Sequence, residues 1–418
     1  MFDIDKWNEI IQALKKNKLR TFLTAFGVFW GIFMLVIMLG SGNGLQNAVF
    51  DNMGDFSTNS CFMWTKTTTM PYKGFSRGRR YNFNNSDTEV LLQNIPEIKA
   101  LSPRLNGWSN NEGNNTVRGD KAGAFSIIGD YPAWQLIDPV EITSGRFINN
   151  IDIKEKRKVV VIGKKIVDAL YKKDEKKIGS KIKINGIFFN VVGVFKSKKA
   201  GGQAEQEEQN IHIPFTTLQH TYNFGDIVGW YAMVAYDEIP VGIVEDKAKI
   251  ILRARHKIHP DDDRAIGSFN VEKEFRKMNG LFLGINTLIW IVGIGTLLAG
   301  VIGVSNIMLV IVKERTKEIG IQRALGAKPF SIIVQIINES VFLTGFSGVL
   351  GLTAGVWLIE LINMAMANSD GEMFKNPEVD IRIASIALII LIVAGAFAGL
   401  LPASRAVSVK PIDAIRQE

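Results

Sequence analysis

Four stretches of the chain, residues 23–39, 281–312, 330–362 and 383–401, are nearly continuous apolar runs. A bilayer core of roughly 30 Å takes about 20 helical residues at 1.5 Å each, so each run predicts a membrane-crossing helix. The second and third would extend roughly 48 and 50 Å as helices, so they must project beyond the lipid or lie partly along it. Around the first gap the apolar positions keep a helical period: Leu45, Val49, Met53 and Phe56 on one side, Phe275, Met278, Phe282 and Ile285 on the other. That spacing fits two helices leaving the membrane together as a stalk, or two ordinary surface helices. Residues 1–20 carry an apolar stripe at Ile4, Trp7, Ile11 and Leu14 among polar positions. The stripe fits an interfacial helix, with a helix against a soluble partner as the other reading.

Between the first two runs the pattern changes to an α+β alternation. Residues 158–162 are a β-branched run, 163–171 read as helix, and 181–195 place Asn185-Gly186 between two apolar-rich segments, which predicts a β-hairpin with a type I′ turn. The polar stretch 196–210 reads as a loop without core side chains, and 211–215 as an edge strand limited by Pro214. Residues 65–82 read as an exposed insertion. The fold class expected is therefore a multi-pass α-helical membrane protein of four transmembrane helices, with a large α+β extracytoplasmic domain between helices 1 and 2.

The resulting map is an amphipathic elbow at 1–20, helix 1 and stalk at 21–56, the outer domain at 57–270, and stalk with helix 2 at 271–312. A cytoplasmic connector at 313–329, helix 3 at 330–362, a short outer loop at 363–382, helix 4 at 383–401 and a cytoplasmic tail at 402–418 follow. Small-xxx-small pairs within the runs, Gly27/Gly31, Gly295/Ala299, Gly351/Gly355 and Gly395/Gly399, allow close helix approach. Glycine is also simply common in membrane helices.

Charge supplies the orientation. The chain carries +8 overall, with a mean hydropathy of +0.12. Segments 1–20, 313–328 and 402–418 hold thirteen Lys/Arg against seven Asp/Glu, a net +6, whereas 363–382 hold two against four. The basic excess on short flanks marks the cytoplasmic side, and with most of the charge explained by topology, nucleic acid drops out as a partner while membrane lipid stays. The first run is preceded by Lys15, Lys16, Lys18 and Arg20, as in a secretory signal, but lacks an Ala-x-Ala site and continues as helix, so cleavage is not expected.

The sequence offers little chemistry of its own. A single cysteine, Cys61, excludes a disulfide framework. Neither a G-x-x-x-x-G-K-[ST] phosphate loop nor a G-x-S-x-G elbow occurs. His256-x-x-His259, followed by Asp261, Asp262 and Asp263, is interrupted by Pro260 and lacks a recognised metal-ligand geometry, so it reads as a solvated loop. The chain is not expected to be an enzyme or to hold a cofactor. Glu339 lies within the third run, where a carboxylate flags function. That run exceeds one crossing, which favours a structural role near the cytoplasmic interface. The connector KERTKEIGIQRALGAKP (313–329) reads as a short helix with Ile319, Ile321 and Leu325 as apolar contacts, Gly326 as C-cap and Pro329 opening the next helix, or as a solvated connector.

RTKEIGIQRALGA (315–327) resembles the signature cytoplasmic loop of the MacB/FtsX-type permeases, the mechanotransmitting class of ABC transporters. The ending LPASRAVSVKPIDAIRQE (401–418) resembles that family's terminal motif at Pro402, Ala406, Pro411, Ile412, Ala414 and Arg416. SGRF (144–147), VVVIG (159–163), IGSKIKINGIFFNVVGV (178–194) and IPFTTLQ (213–219) resemble the MacB-type periplasmic core. The resemblance spans nearly the whole chain.

It implies a homo- or heterodimer of four-span permeases in the inner membrane, with both termini cytoplasmic. In MacB the ATPase is fused to the permease, whereas this sequence starts at the elbow, so an ABC ATPase with ATP-Mg is expected on a partner subunit. The resemblance assigns Glu318, Ile319, Gly320, Arg323, Ala324 and Gly326 to docking that ATPase. It implies efflux of antibiotics, peptides or other small molecules, with a membrane-fusion adaptor and outer-membrane channel as further partners. A lipoprotein-releasing permease and an FtsX-like regulator of a cell-wall hydrolase are the alternatives.

Overall fold

The computed structural model describes residues 18–53, 56–108, 116–199, 201–366 and 381–408. Residues 1–17 of the elbow expected at 1–20, most of the outer loop expected at 363–382 and the tail from 409 lie outside the described residues, and 18–20 open α1. The chain divides into two compact units, one formed by Met1–Val49 with Leu281–Glu418 and the other by Phe50–Gly280.

In the first unit the apolar runs form helices long and apolar enough to cross a membrane. These lie in α1 (Lys18–Met53), α8 (Val271–Glu314), α10 (Pro329–Met366) and α11 (Ile381–Ser408), with the short α9 (Thr316–Ala324) between α8 and α10. Both α1 and α8 are unbroken, over 36 and 44 residues. α11 continues through Pro402 into the segment expected as tail. In α1 the stripe expected at Leu45 and Val49 is displaced: Leu45 is exposed, while Gly44 and Ala48 are buried.

Helices pack where side chains are small. A Cβ at Gly31 would sit 3.4 Å from the Thr296 carbonyl oxygen, at Gly351 2.5 Å from that of Phe29, and at Gly355 2.8 Å from Val36. At Gly395 it would strike the Thr344 side chain, and at Gly399 it would lie 2.9 Å from Ser340 Oγ. At Gly31 a Cβ would make ordinary contact, whereas Gly351, Gly355, Gly395 and Gly399 lie where a neighbouring helix leaves no room for one. Gly27 and Gly295 do not, since a Cβ at either meets nothing within 4 Å. Val28, Ile32, Leu35, Leu297, Leu343 and Leu391 form the centre of this unit's core.

The second unit is built on one mixed sheet of 12 strands. In chain order these are β1 (Ser60–Thr65), β3 (Ile98–Trp108), β4 (Thr116–Arg118), β5 (Lys121–Gly123), β6 (Ser126–Asp130), β7 (Glu141–Gly145) and β8 (Val159–Gly163), then β9 (Lys181–Ile184), β10 (Ile187–Lys196), β11 (Asn210–Pro214), β13 (Trp230–Ala235) and β14 (Ile266–Asn270). A separate two-stranded ladder pairs β2 (Phe83–Asn84) with β12 (Ile227–Val228). The helices are α2 (Asn85–Asn94), α3 (Asn150–Lys154), α4 (Lys164–Leu170), α5 (Gly201–Glu207), α6 (Phe215–Thr221) and α7 (Val241–Arg255). The strand order is β14-β1-β13-β3-β6-β11-β8-β10-β9-β4-β5, with β7 also on β10.

The hairpin forms as expected: Ile184 pairs with Ile187 across Asn185 (φ 45°) and Gly186 (φ 89°), both in the left-handed region a type I′ turn demands. Two expectations are corrected. β11 is a central strand, parallel to β6 and antiparallel to β8; Pro214 is tolerated because the β8 ladder ends at His212, before the missing N–H matters. The segment 196–210 contains α5 and buries Ser197 and Glu208, since hydrogen-bonded polar groups replace apolar contacts there. The insertion 65–82 is largely exposed, yet Thr68 is buried and the Thr69 and Met70 N–H groups donate to Asp262 at 2.7 and 3.0 Å. The core is aliphatic and aromatic, with Phe83, Phe189, Phe215 and Tyr231 sealed inside. Cys61 lies fully buried in β1. Phe50 and Phe275 pack with ring centroids 5.1 Å apart near the ends of α1 and α8.

Candidate functional site

Helix α9 turns on Arg315, whose N–H donates to the Ile311 carbonyl at 2.9 Å. At the other end, Gly326 N–H donates to Arg323 O at 3.1 Å and Ala327 N–H to Gln322 O at 3.0 Å, the two bonds of a Schellman stop. Gly326 sits at φ 97°, where a side chain would be strained. Pro329 is the first residue of α10, where its lost N–H costs nothing.

Helical geometry splits the expected docking residues into two faces. Ile319 and Gly320 are buried, and Ile319 belongs to the same apolar cluster as Val312, Ile332, Ala403 and Ala406. Arg323 turns away from solvent to donate to the Val407 carbonyl of α11 at 2.6 Å. Glu318, Ala324 and Gly326 stand on the open side. Ile321 and Leu325, expected as packing contacts, are exposed instead: at about 100° per residue, position 321 lies nearly opposite 319. Leu325 is 84% exposed, an apolar knob beside the cap. The helical period contained this signal, since 317, 321, 324 and 328 share a face that excludes 319 and 323.

Glu339 resolves as a partner of this element. Buried in α10, it accepts from Arg315 Nη1 at 2.9 Å, while Arg315 Nε reaches Glu318 at 3.0 Å. Two guanidinium groups thus tie α9 to α10 and to α11. Such charge-assisted bonds, one of them to a carboxylate removed from water, are the strong kind and hold the short helix in one pose. An exposed apolar pair on a helix pinned from behind is suited to being gripped by a partner and to passing on displacement.

The histidines do not converge. His256 Nε2 bonds Asp87 at 2.7 Å, whereas His259 packs against Tyr72 and accepts from the Asp261 N–H at 3.2 Å. The expected solvated loop is corrected, because Asp262 is buried and organises residues 69–70. Among the described residues no group of three or more His, Cys, Asp or Glu side chains is placed to hold a metal ion.

A family model for the MacB-like periplasmic core domain matches residues 21–254, and one for the FtsX-like permease C-terminal region matches 290–411. The chain belongs to the MacB/FtsX-type permease family. Relatives of this MacB-type permease include the macrolide export ATP-binding/permease protein MacB of Bdellovibrio bacteriovorus, 27% identical over 99% of this chain and 62% of that protein. The pyoverdine export ATP-binding/permease protein PvdT of Pseudomonas entomophila is 26% identical over 98% of this chain and 60% of its own length. The chain therefore spans somewhat under two thirds of these relatives. Among solved structures, the periplasmic region of MacB from Actinobacillus actinomycetemcomitans aligns at TM-score 0.42 and 17% identity, covering 54% of this chain and 94% of that one. The extracellular domain of the noncanonic transporter YknZ from Gram-positive bacteria aligns at TM-score 0.41 and 12% identity, over 50% and 100%. The four apolar helices and the large α+β domain expected from the sequence are present among the described residues, and the two family models fall on them.

Proposed function

We propose that this permease exports small molecules, antibiotics and peptides among them, by mechanotransmission. A separate ABC ATPase grips α9 through Glu318, Ile321, Ala324, Leu325 and Gly326. ATP-driven closure of two permease subunits moves α9, and the unbroken helices α1 and α8 carry that motion to the large domain on the outer side of the inner membrane. Both termini then face the cytoplasm, in keeping with the basic flanks. A membrane-fusion adaptor and an outer-membrane channel complete the route. The observation that carries this reading is the double tether of α9, Arg315 to Glu339 and Arg323 to Val407, which gives a gripped helix no slack relative to the spans.

The test uses the permease reconstituted with its ATPase in liposomes. Arg315→Ala should leave ATP hydrolysis within about twofold of wild type while transport falls at least about tenfold, corresponding to about 1.4 kcal/mol or more of lost coupling. Transport that stays proportional to hydrolysis in this variant would sink the reading.

A further inference from the structure

The large domain holds a cavity of about 800 Å³ that the transport reading does not use. Its floor is a line of side chains on one sheet face: Phe62, Trp230, Arg104, Ile128 and His212, from the five adjacent strands β1, β13, β3, β6 and β11. The ladder sets them in line, with Trp230 opposite Arg104 and His212 opposite Ile128, and the two-residue period keeps them on one side. Arg104 is already committed. It pairs with buried Asp130, and its guanidinium carbon lies 3.4 Å from the Trp134 ring centroid and 4.8 Å from that of Trp230.

His212 is 2% exposed. Its Nδ1 bonds the same Asp130 carboxylate, and its Nε2, also buried, has no hydrogen-bond partner. With Nδ1–H donating to a carboxylate, the neutral ring presents a lone pair at Nε2 and asks for a donor. Leaving such a group unsatisfied is costly, and a buried polar orphan needs an explanation.

The rim has the opposite imbalance to a phosphate or carboxylate site. One ammonium, Lys199, serves two carboxylates, Asp138 at 2.8 Å and Glu207 at 2.9 Å, while Glu208 is buried beside them on the Ser197 N–H at 3.2 Å. Burial pushes the Asp138 carboxyl above the usual range even with Lys199 alongside. Burial also opposes ionisation of Glu207, but Lys199 and the Ser197 hydroxyl hold it below the usual range. Arg104 is matched by Asp130 and Lys199 by Asp138 and Glu207, so in these pairings three carboxylates face two cations, against aromatic walls that favour a cation.

We propose that this cavity binds an organic cation, whose nitrogen donors face His212 Nε2 and the Asp138 and Glu207 carboxylates and whose apolar body lies against Phe62 and Trp230. The site stands apart from the transport reading, because binding requires neither the ATPase nor a gradient.

The full chain in phosphatidylcholine nanodiscs is titrated with dansylcadaverine, an ammonium, and with dansylglycine, a carboxylate on the same fluorophore, with energy transfer from tryptophan as readout. Dansylcadaverine should bind saturably and dansylglycine should not. Glu207→Gln should weaken the cation about tenfold, and Gln206→Glu, at an exposed lining position, should strengthen it about threefold. The proposal is overturned by absence of saturable dansylcadaverine binding, by equal binding of the two dyes, or by an affinity that Gln206→Glu leaves unchanged.

Discussion

Single carboxylates in this protein collect several donors each, and that is where residue-scale stability concentrates. Asp87 is fully buried, closes the capping box of α2 with Asn84, and takes further bonds from Arg255 at 2.6 Å and His256 at 2.7 Å. Burial opposes its ionisation, yet the His256 and Arg255 bonds outweigh it and hold its pKa below the ordinary 3.8. A carboxylate with a depressed folded pKa stabilises above its unfolded value and loses that contribution as pH falls through the folded one. The melting temperature of the large domain should therefore drop as pH falls below about 4, with a shallower acid slope in Asp87→Asn. Asp87→Ala should destabilise by about 2–3 kcal/mol at neutral pH, measured by thermal denaturation. None of these pairings was legible in the sequence. Asp87 and His256 are 169 residues apart, and Arg315, in the turn between α8 and α9, lies 24 residues from Glu339 in α10, so no local period connects them.

Elements defined by a local rule were readable, whereas those defined by neighbours were not. The Asn185-Gly186 hairpin follows from backbone sterics alone, and four long apolar runs become helices because nothing else satisfies their backbone in lipid. β11 looked like an edge because proline usually sits there, but strand position depends on pairing between distant segments. α5 was hidden because its buried partners are ionic. The glycine pairs were half legible: spacing nominates close approach, and only packing selects Gly395 over Gly27. Gly395→Val should lower the stability of the helical unit in detergent by about 1–3 kcal/mol, since the added atoms strike Thr344. Gly27→Ala should leave it unchanged within about 0.5 kcal/mol, as a Cβ there meets open space. Equal melting shifts for the two variants would contradict this packing.

For the molecule as a whole, the proposed topology predicts opposite accessibility of two exposed sites. In intact cells an impermeant maleimide should label Glu205→Cys on α5 and not Lys317→Cys on α9, with the second appearing only after the membrane is opened. The reverse pattern would invert the orientation. Fold class and the four apolar spans were legible because length and apolarity act over tens of residues. The cavity was not, because its floor is assembled from five strands far apart in sequence. Such labelling is helped by Cys61. The native thiol is the chain's one cysteine, it is sealed within β1, and burial pushes its pKa up, so little thiolate is exposed to reagent. Nature has in effect supplied a spectroscopic blank: paired nitroxide probes can report distances during nucleotide turnover on an otherwise wild-type background.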